Sequence, residues 1–397
     1  MPVPFYRHAL GPGDAAAIAQ VLSSPMLSSG PVCRRVEEQI AAFFGVPHAL
    51  LTNSWTNGAV ATLLALDIGP GDEVIVPAMT FIATANVVAL VGATPVFVDV
   101  DPDTLMMTPE GLEAAITART RAAIPVHLYG QMAPMRELAA VAERHGIDLI
   151  EDAAHCFEGS RDGLRPGALS RAAIFSFYAT KNVTCGEGGA VITRDAELAE
   201  RIRQTRLHGM SAGAAERFAG GRYRHWDMLR LGTKANLPDI LAALLPDQIA
   251  RVEERRLRRE ALARRYRRLL EGETDALRFP RWVEGALHAH HLFPVWVAPR
   301  LRDALLARLT ESGIGATVNY RAVTRTSYWR TRLGAAAADG AFVHATRWGE
   351  GTFSLPLFPG LTEAEQDEVV GTLARLLREL PRDDDGPDGP DPAEGMP

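Results

Sequence analysis

Between residues 49 and 150 the chain alternates between short apolar runs and helix-forming stretches, and this alternation restricts its fold more than any other feature. Residues 49–52, 73–77, 94–98, 122–126 and 148–150 read as strands. Between them, residues 59–66, 83–91, 112–116 and 132–145 read as helices, the last stopped by Gly146. Strands separated by helices of about ten residues predict a wound, largely parallel sheet covered on both faces. Upstream, Val36, Ile40 and Phe44 recur at helical spacing, with Gly45 as the stop signal. Ligands of such sheets sit beyond the carboxyl ends of the strands. Polar residues at those ends are therefore where chemistry is to be sought.

Three such places stand out. After residues 49–52 comes the polar turn Asn53-Ser54-Trp55-Thr56-Asn57-Gly58, which opens a helix. A helix N-terminus presents unpaired N–H groups and a favourable dipole, so a phosphate fits there; the plainer reading is that Ser54 or Thr56 only caps the helix. The strand 148–150 runs into Glu151-Asp152-Ala153-Ala154-His155. A carboxylate leaving a buried strand needs a cation or strong donors. The protonated ring nitrogen of a pyridoxal cofactor is one such cation, with His155 placed to bond the ring's phenolic oxygen. The alternatives are a helix cap or structural ion pair for Asp152 and a satisfied core histidine for His155. Third, Phe175-Ser176-Phe177-Tyr178-Ala179-Thr180-Lys181-Asn182 is an apolar and aromatic run ending in lysine, followed by the glycine-bearing turn at 185–189. A lysine there either snorkels to water or holds a carbonyl cofactor as a Schiff base. The three places belong to one sheet, and their convergence favours the functional reading of each.

Charge decides against other classes of function. The net charge is −6, but residues 381–397 contribute six acids against Arg382, so the tail carries −5 and the rest about −1. A near-neutral body does not suit a general nucleic-acid binder. The arginine-rich stretch 247–270 is interrupted by Glu253, Glu254 and Glu260 and has almost no stacking aromatics, and so reads as the solvated connecting helix of an oligomeric enzyme. The tail is Pro-, Gly- and Asp-rich and is expected to be disordered. Residues 213–225 read as a loop over the site or at an interface. Three cysteines are too few and too scattered for a disulfide framework or zinc site, so no metal is expected. There is no apolar run long enough to cross a bilayer and no secretory signal at the N-terminus, which makes the cytoplasm the expected compartment. The 397 residues suggest two or three domains. These are a large domain over 1–246 with an N-terminal arm, a small α+β domain over 247–380 with its long helix, and the tail. In the small domain, 291–297 reads as a strand, with helices near 303–310 and 363–380.

The motifs resemble those of the DegT family of pyridoxal-phosphate-dependent sugar aminotransferases. The segments 69–77, 81–86, 125–131, 151–155 and 175–182 carry the likeness, which spans nearly the whole chain except the tail. The resemblance implies the aspartate aminotransferase-like fold (fold type I), with a mixed, mostly parallel sheet flanked by helices, a small C-terminal domain, and a homodimer with shared active sites. It implies Lys181 as the Schiff-base lysine, Asp152 as partner of the pyridine nitrogen, and His155 beside the ring hydroxyl. Phe81 would cover one face of the ring. Ser176 and the Trp55-Thr56 turn would bind phosphate, and Lys234 or Asn236 would reach the phosphate of the other subunit. Trp55 stands where small residues are common. Asn319 and Thr324 stand where the family often has histidine, leaving Asn319, Tyr320 and Arg321 as the candidate substrate contacts. The implied reaction moves an amino group, by family habit from L-glutamate, to a keto sugar, a nucleotide-linked 3- or 4-keto-6-deoxysugar. Alternatives are amination of a keto-inositol to an aminocyclitol, a sugar dehydratase, against which Lys181 argues, and a non-catalytic cofactor-bound regulator.

Overall fold

The computed structural model describes residues 2–211, 225–273, 276–337 and 340–379. Residues 213–224 of the expected loop and the acidic tail lie outside the described residues. Seven strands form the main sheet: β1 (His48–Thr52), β2 (Glu73–Pro77), β3 (Thr94–Val98), β4 (Thr120–Ala123), β5 (Asp148–Asp152), β6 (Ala172–Ser176) and β7 (Gly189–Thr193). Their spatial order is β1-β7-β6-β5-β4-β2-β3. All neighbours from β3 to β6 pair in parallel, while β7 runs antiparallel to both β1 and β6. The sheet is thus mixed and mostly parallel, as the alternation and the family likeness together predict. β2 and β7 are buried along their full length, as strands covered on both faces must be.

Two apolar layers cover the sheet. One contains Ala59, Leu63, Val74, Ile75, Val88, Ile150 and Ile174. The other packs Val36, Ile40 and Phe44 of the helix Pro31–Phe44 against Phe175 and Ile192. Gly45, at φ 62°, ends that helix in the left-handed conformation that glycine adopts without cost. A third core lies in the C-terminal part, where the two-stranded sheet β8 (Phe293–Trp296) and β9 (Thr352–Leu355) packs with the helices Pro299–Glu311 and Glu363–Glu379. Val3 joins this core and bridges to Ile314, so the N-terminus is anchored there.

The arginine-rich stretch differs from expectation. It breaks at Arg251 into a short helix, Pro246–Ala250, and a long one, Val252–Glu273. Nor is the long helix solvated all round: Arg255, Arg256 and Arg259 are buried. Arg256 bonds Glu253 at 2.7 Å and Glu260 at 2.8 Å, and Arg259 donates to the Leu357 carbonyl at 3.0 Å. Partners of both kinds, carboxylates on the same helix and carbonyls of the C-terminal part, make this burial tolerable.

Candidate active site

β5 delivers Asp152 at its last residue, at the carboxyl edge of the parallel strands. The carboxylate is buried. Its Oδ2 accepts from the Thr84 hydroxyl at 2.8 Å and its Oδ1 from the Ala154 N–H at 3.1 Å. Burial raises its pKa, against the pull of those two donors and of the Lys181 charge. A carboxylate in that position gains from any cation brought to it.

Lys181 is not at a strand end. β6 stops at Ser176, and the lysine sits five residues on, in a turn closed by its N–H bonding the Tyr178 carbonyl at 2.9 Å. Its side chain is partly exposed through the cleft, while its amine is enclosed by protein. Burial lowers the pKa to about 8, opposed by the Asp152 charge. The amine therefore keeps a neutral, nucleophilic fraction of roughly a tenth to a fifth near physiological pH, far more than an ordinary lysine does.

His155 has a fixed tautomer. The Tyr129 N–H donates to its Nδ1 at 3.2 Å, so Nε2 carries the hydrogen and faces the Tyr320 hydroxyl at 3.1 Å. Burial, then the Lys181 charge, holds its pKa well below the ordinary value. The ring is thus a neutral donor. The backbone spends strain to place it: Tyr129 adopts φ 60°, a left-handed conformation costing a bulky residue about 1–3 kcal/mol. At Gly130 a Cβ would come within 2.9 Å of the His290 nitrogen, so only glycine completes this turn.

The fourth component is the N-terminus of the helix Trp55–Ala65. Ser54 caps it, its side chain accepting from the Asn57 N–H, while Trp55 and Thr56 line the cleft at the turn whose N–H groups have no partner within the helix. The Trp55 indole is buried and donates to the Ile174 carbonyl at 3.1 Å, so this large residue braces the turn from below. The start of β7 crosses close by. A Cβ on Gly189 would meet the Phe175 carbonyl oxygen at 2.7 Å and the Ser54–Trp55 backbone at 2.8 Å.

These components line a cleft of about 480 Å³, together with Phe81, Ser176, Asn319 and Tyr320. Nine sequence candidates therefore meet in one place: Lys181, Asp152, His155, Trp55, Thr56, Phe81, Ser176, Asn319 and Tyr320. Arg321 is exposed beside them. Lys234 and Asn236 lie apart from the cleft, against the end of β1, where Asn236 donates to the Ser29 hydroxyl at 2.6 Å and Lys234 bonds Asn236 at 2.6 Å. Thr324 is buried and does not line the cleft. Sequence reasoning missed the roles of Thr84 and His291. Thr84 lies within the motif 81–86, so a partner for Asp152 could have been sought there. His291, whose Nε2 lies 3.4 Å from the Lys181 amine, carries no local signal.

The donor set fits pyridoxal phosphate: an amine for an aldehyde, a buried carboxylate for a ring cation, a neutral donor for a phenolic oxygen, and a helix N-terminus for a phosphate. Among the described residues no cluster of His, Cys, Asp or Glu could hold a metal, and no helix is long and apolar enough to cross a membrane. A family model described as the DegT/DnrJ/EryC1/StrS aminotransferase family matches residues 9–374. Solved structures agree. Spr1654 of Streptococcus pneumoniae, assigned as a sugar aminotransferase and solved in a PLP form, is 26% identical with a TM-score of 0.87, over 96% of this chain and 99% of that one. DesV of S. venezuelae is 35% identical with a TM-score of 0.84, over 93% and 95%. A DegT DnrJ EryC1 StrS aminotransferase from Brucella abortus is 35% identical with a TM-score of 0.81, over 91% and 94%.

Proposed function

The chain belongs to the DegT/DnrJ/EryC1/StrS aminotransferase family, and on that premise we propose that it transfers the amino group of L-glutamate to a nucleotide-linked 3- or 4-keto-6-deoxysugar. It is a pyridoxal-phosphate-dependent sugar aminotransferase of fold type I. The observation that carries the proposal is the meeting of Lys181, Asp152, His155 and a helix N-terminus in one cleft. Arg321, exposed next to the cleft-lining Asn319 and Tyr320, supports an anionic substrate such as a sugar nucleotide diphosphate.

Bound pyridoxal phosphate supplies an aldehyde carbon and an electron-accepting ring. Lys181 is the residue that meets the aldehyde, and once free it takes and returns a proton at Nζ, a task its lowered pKa suits. Asp152, aimed by Thr84 and the Ala154 N–H, holds the ring-nitrogen proton in place. His155 would donate from Nε2 to the phenolic oxygen, Phe81 would cover one ring face, and the Ser54–Thr56 turn with Ser176 would take the phosphate. Asn319 and Tyr320 stand at the substrate end. In a homodimer, Lys234 or Asn236 would serve the site of the second subunit, which agrees with their place outside the cleft of their own chain. We further assign a large domain to 1–246, a small one to 247–380, and a cytoplasmic location.

Purified protein loaded with pyridoxal phosphate should be yellow and should lose that colour when L-glutamate is added. Borohydride reduction followed by peptide mass analysis should place the cofactor on Lys181. A panel of keto sugars and keto-inositols, with mass analysis of the aminated products, then fixes the acceptor. Amination of a keto-inositol alone would replace the sugar reading with the aminocyclitol one. Colour that no amino donor changes would sink the transfer reaction altogether.

A further inference from the structure

Behind the Lys181 amine lies a buried polar chain that the function above does not use. His291 Nε2 is 3.4 Å from Lys181 Nζ, and His291 Nδ1 is 3.2 Å from Asn182 Oδ1. The Asn182 amide nitrogen in turn donates to Glu158 Oε1 at 2.6 Å and to the Ala289 carbonyl at 2.9 Å. The Ala289 carbonyl can only accept, and Glu158 accepts whenever it is ionised, so reversing the amide would set its oxygen against the Ala289 oxygen. Asn182 Oδ1 must therefore face the histidine, and an amide oxygen can only accept. It follows that His291 Nδ1 carries a hydrogen.

The surroundings of His291 keep the ring neutral. It is enclosed by protein, with Lys181 and Arg259 contributing positive charge and the His155 ring at 4.5 Å between centroids. Burial followed by those charges holds its pKa well below the ordinary value. The carboxylates of this region act elsewhere: Asp152 lies towards the Lys181 amine, and Glu158 bonds Asn182 and feels Arg259 and Arg256 from the long helix. A neutral ring with hydrogen at Nδ1 has a lone pair at Nε2. That lone pair faces the lysine.

We infer that Glu158 and the Ala289 carbonyl, by clamping the Asn182 amide, lock His291 as a hydrogen-bond acceptor that positions the Lys181 amine. The inference rests on the reading of Lys181 as the reactive amine. His291 does not touch the cleft itself; it acts through the lysine, holding Nζ at one point when the amine is free to carry a proton. A single point of attachment behind a flexible four-carbon side chain limits where that proton can be delivered.

The test is the tautomer of His291 in full-length protein labelled with nitrogen-15 histidine, read from two-bond nitrogen–proton correlations between pH 6 and 9. Hydrogen on Nδ1 and no titration in that range are expected. Hydrogen on Nε2, or a charged ring, would overturn the inference without any variant being made. Asn182→Leu should release the tautomer, and an unchanged Nδ1–H ring would overturn the clamp. In the cofactor-free protein, His291→Leu should make the Lys181 amine react about 2.5–5-fold faster with an acylating reagent at pH 7, because a lost acceptor lowers the amine's pKa by about half to one unit from its value of about 8. His291→Gln, which retains an acceptor, should restore the wild-type rate; failure of both variants to change it counts against the contact. Borohydride mapping of the cofactor separates the two claims. A cofactor found elsewhere than Lys181 defeats the reading of the lysine, whereas a wrong tautomer with the cofactor on Lys181 defeats only the role of His291.

Discussion

Glu151 and Asp152 are neighbours on β5, both buried, and they point to opposite faces of the sheet. Their surroundings differ in kind. Glu151 has a complete set of partners: His127 Nε2 at 2.6 Å, the Gly167 N–H at 2.8 Å and the Ser170 hydroxyl at 2.5 Å. Asp152 has one hydroxyl and one N–H, and the Lys181 amine near it acts only through space. One carboxylate ties a loop to the sheet. The other is held ready for a cation the protein itself does not place in contact. Burial of a charge therefore does not distinguish a structural from a functional carboxylate; an incomplete partner set beside a cleft does.

The contrast can be broken at several points. Lys181→Ala should reduce turnover by at least about 10³-fold, the range lost with a general acid–base and covalent residue, while leaving the melting temperature close to wild type. Stopped-flow loss of colour with L-glutamate reads the first and calorimetry the second. Substitution of the two carboxylates should then give opposite results. Asp152→Asn should lower turnover by about 10²–10³-fold. The same change should leave the cofactor-free protein as stable or more so, because a buried carboxylate without a contacting cation is removed. Glu151→Ala should cost about 3–5 kcal/mol of stability in denaturant unfolding, since it leaves the His127 ring, the Gly167 N–H and the Ser170 hydroxyl buried without their acceptor, yet retain turnover per folded molecule. A folded Glu151→Ala protein without activity would erase the distinction.

Two smaller effects sharpen it. Acylation of the Lys181 amine in the cofactor-free protein should rise through about pH 8, not near the ordinary lysine value. In Asp152→Asn the rise should move lower still, because the Asp152 charge is what opposes burial. Glu158, buried near Lys181, has its pKa raised to about 7, with burial as the main cause. A carboxyl whose folded value lies above its unfolded one stabilises at low pH and loses that contribution as pH rises from about 4.5 through 7. Glu158→Gln should flatten stability across this window and match wild type below it. Unfolding curves at pH 4.5, 6 and 8 measure the difference.

Much of this was legible locally. The strand–helix alternation gave the parallel half of the sheet, and the polar residues at its carboxyl edge pointed to Ser54, Asp152 and the neighbourhood of Lys181. Lys181 was placed within a few residues of its true setting because the run 175–177 is apolar, although the strand ends at Ser176 and a turn carries the lysine forward. The long helix was misread because arginine counts as polar in any periodicity, whereas Arg255, Arg256 and Arg259 bury their stems and find partners. Lys234 and Asn236 were reached only through family likeness. Nothing in their own neighbourhood marks them.

Sequence by itself determined the wound α/β sheet, the candidate lysine and carboxylate, and the near-neutral body that excludes a general nucleic-acid binder. Periodicity and turn chemistry act over a few residues, and those features are local. Tertiary structure alone decided the antiparallel insertion of β7 between β1 and β6, and the partners that give each site residue its state. Thr84 reaches Asp152 across 68 positions, His291 reaches Lys181 across 110, and Tyr320 reaches His155 across 165. A pKa or a tautomer belongs to an environment assembled from distant segments, and it exists only once the chain has brought them together.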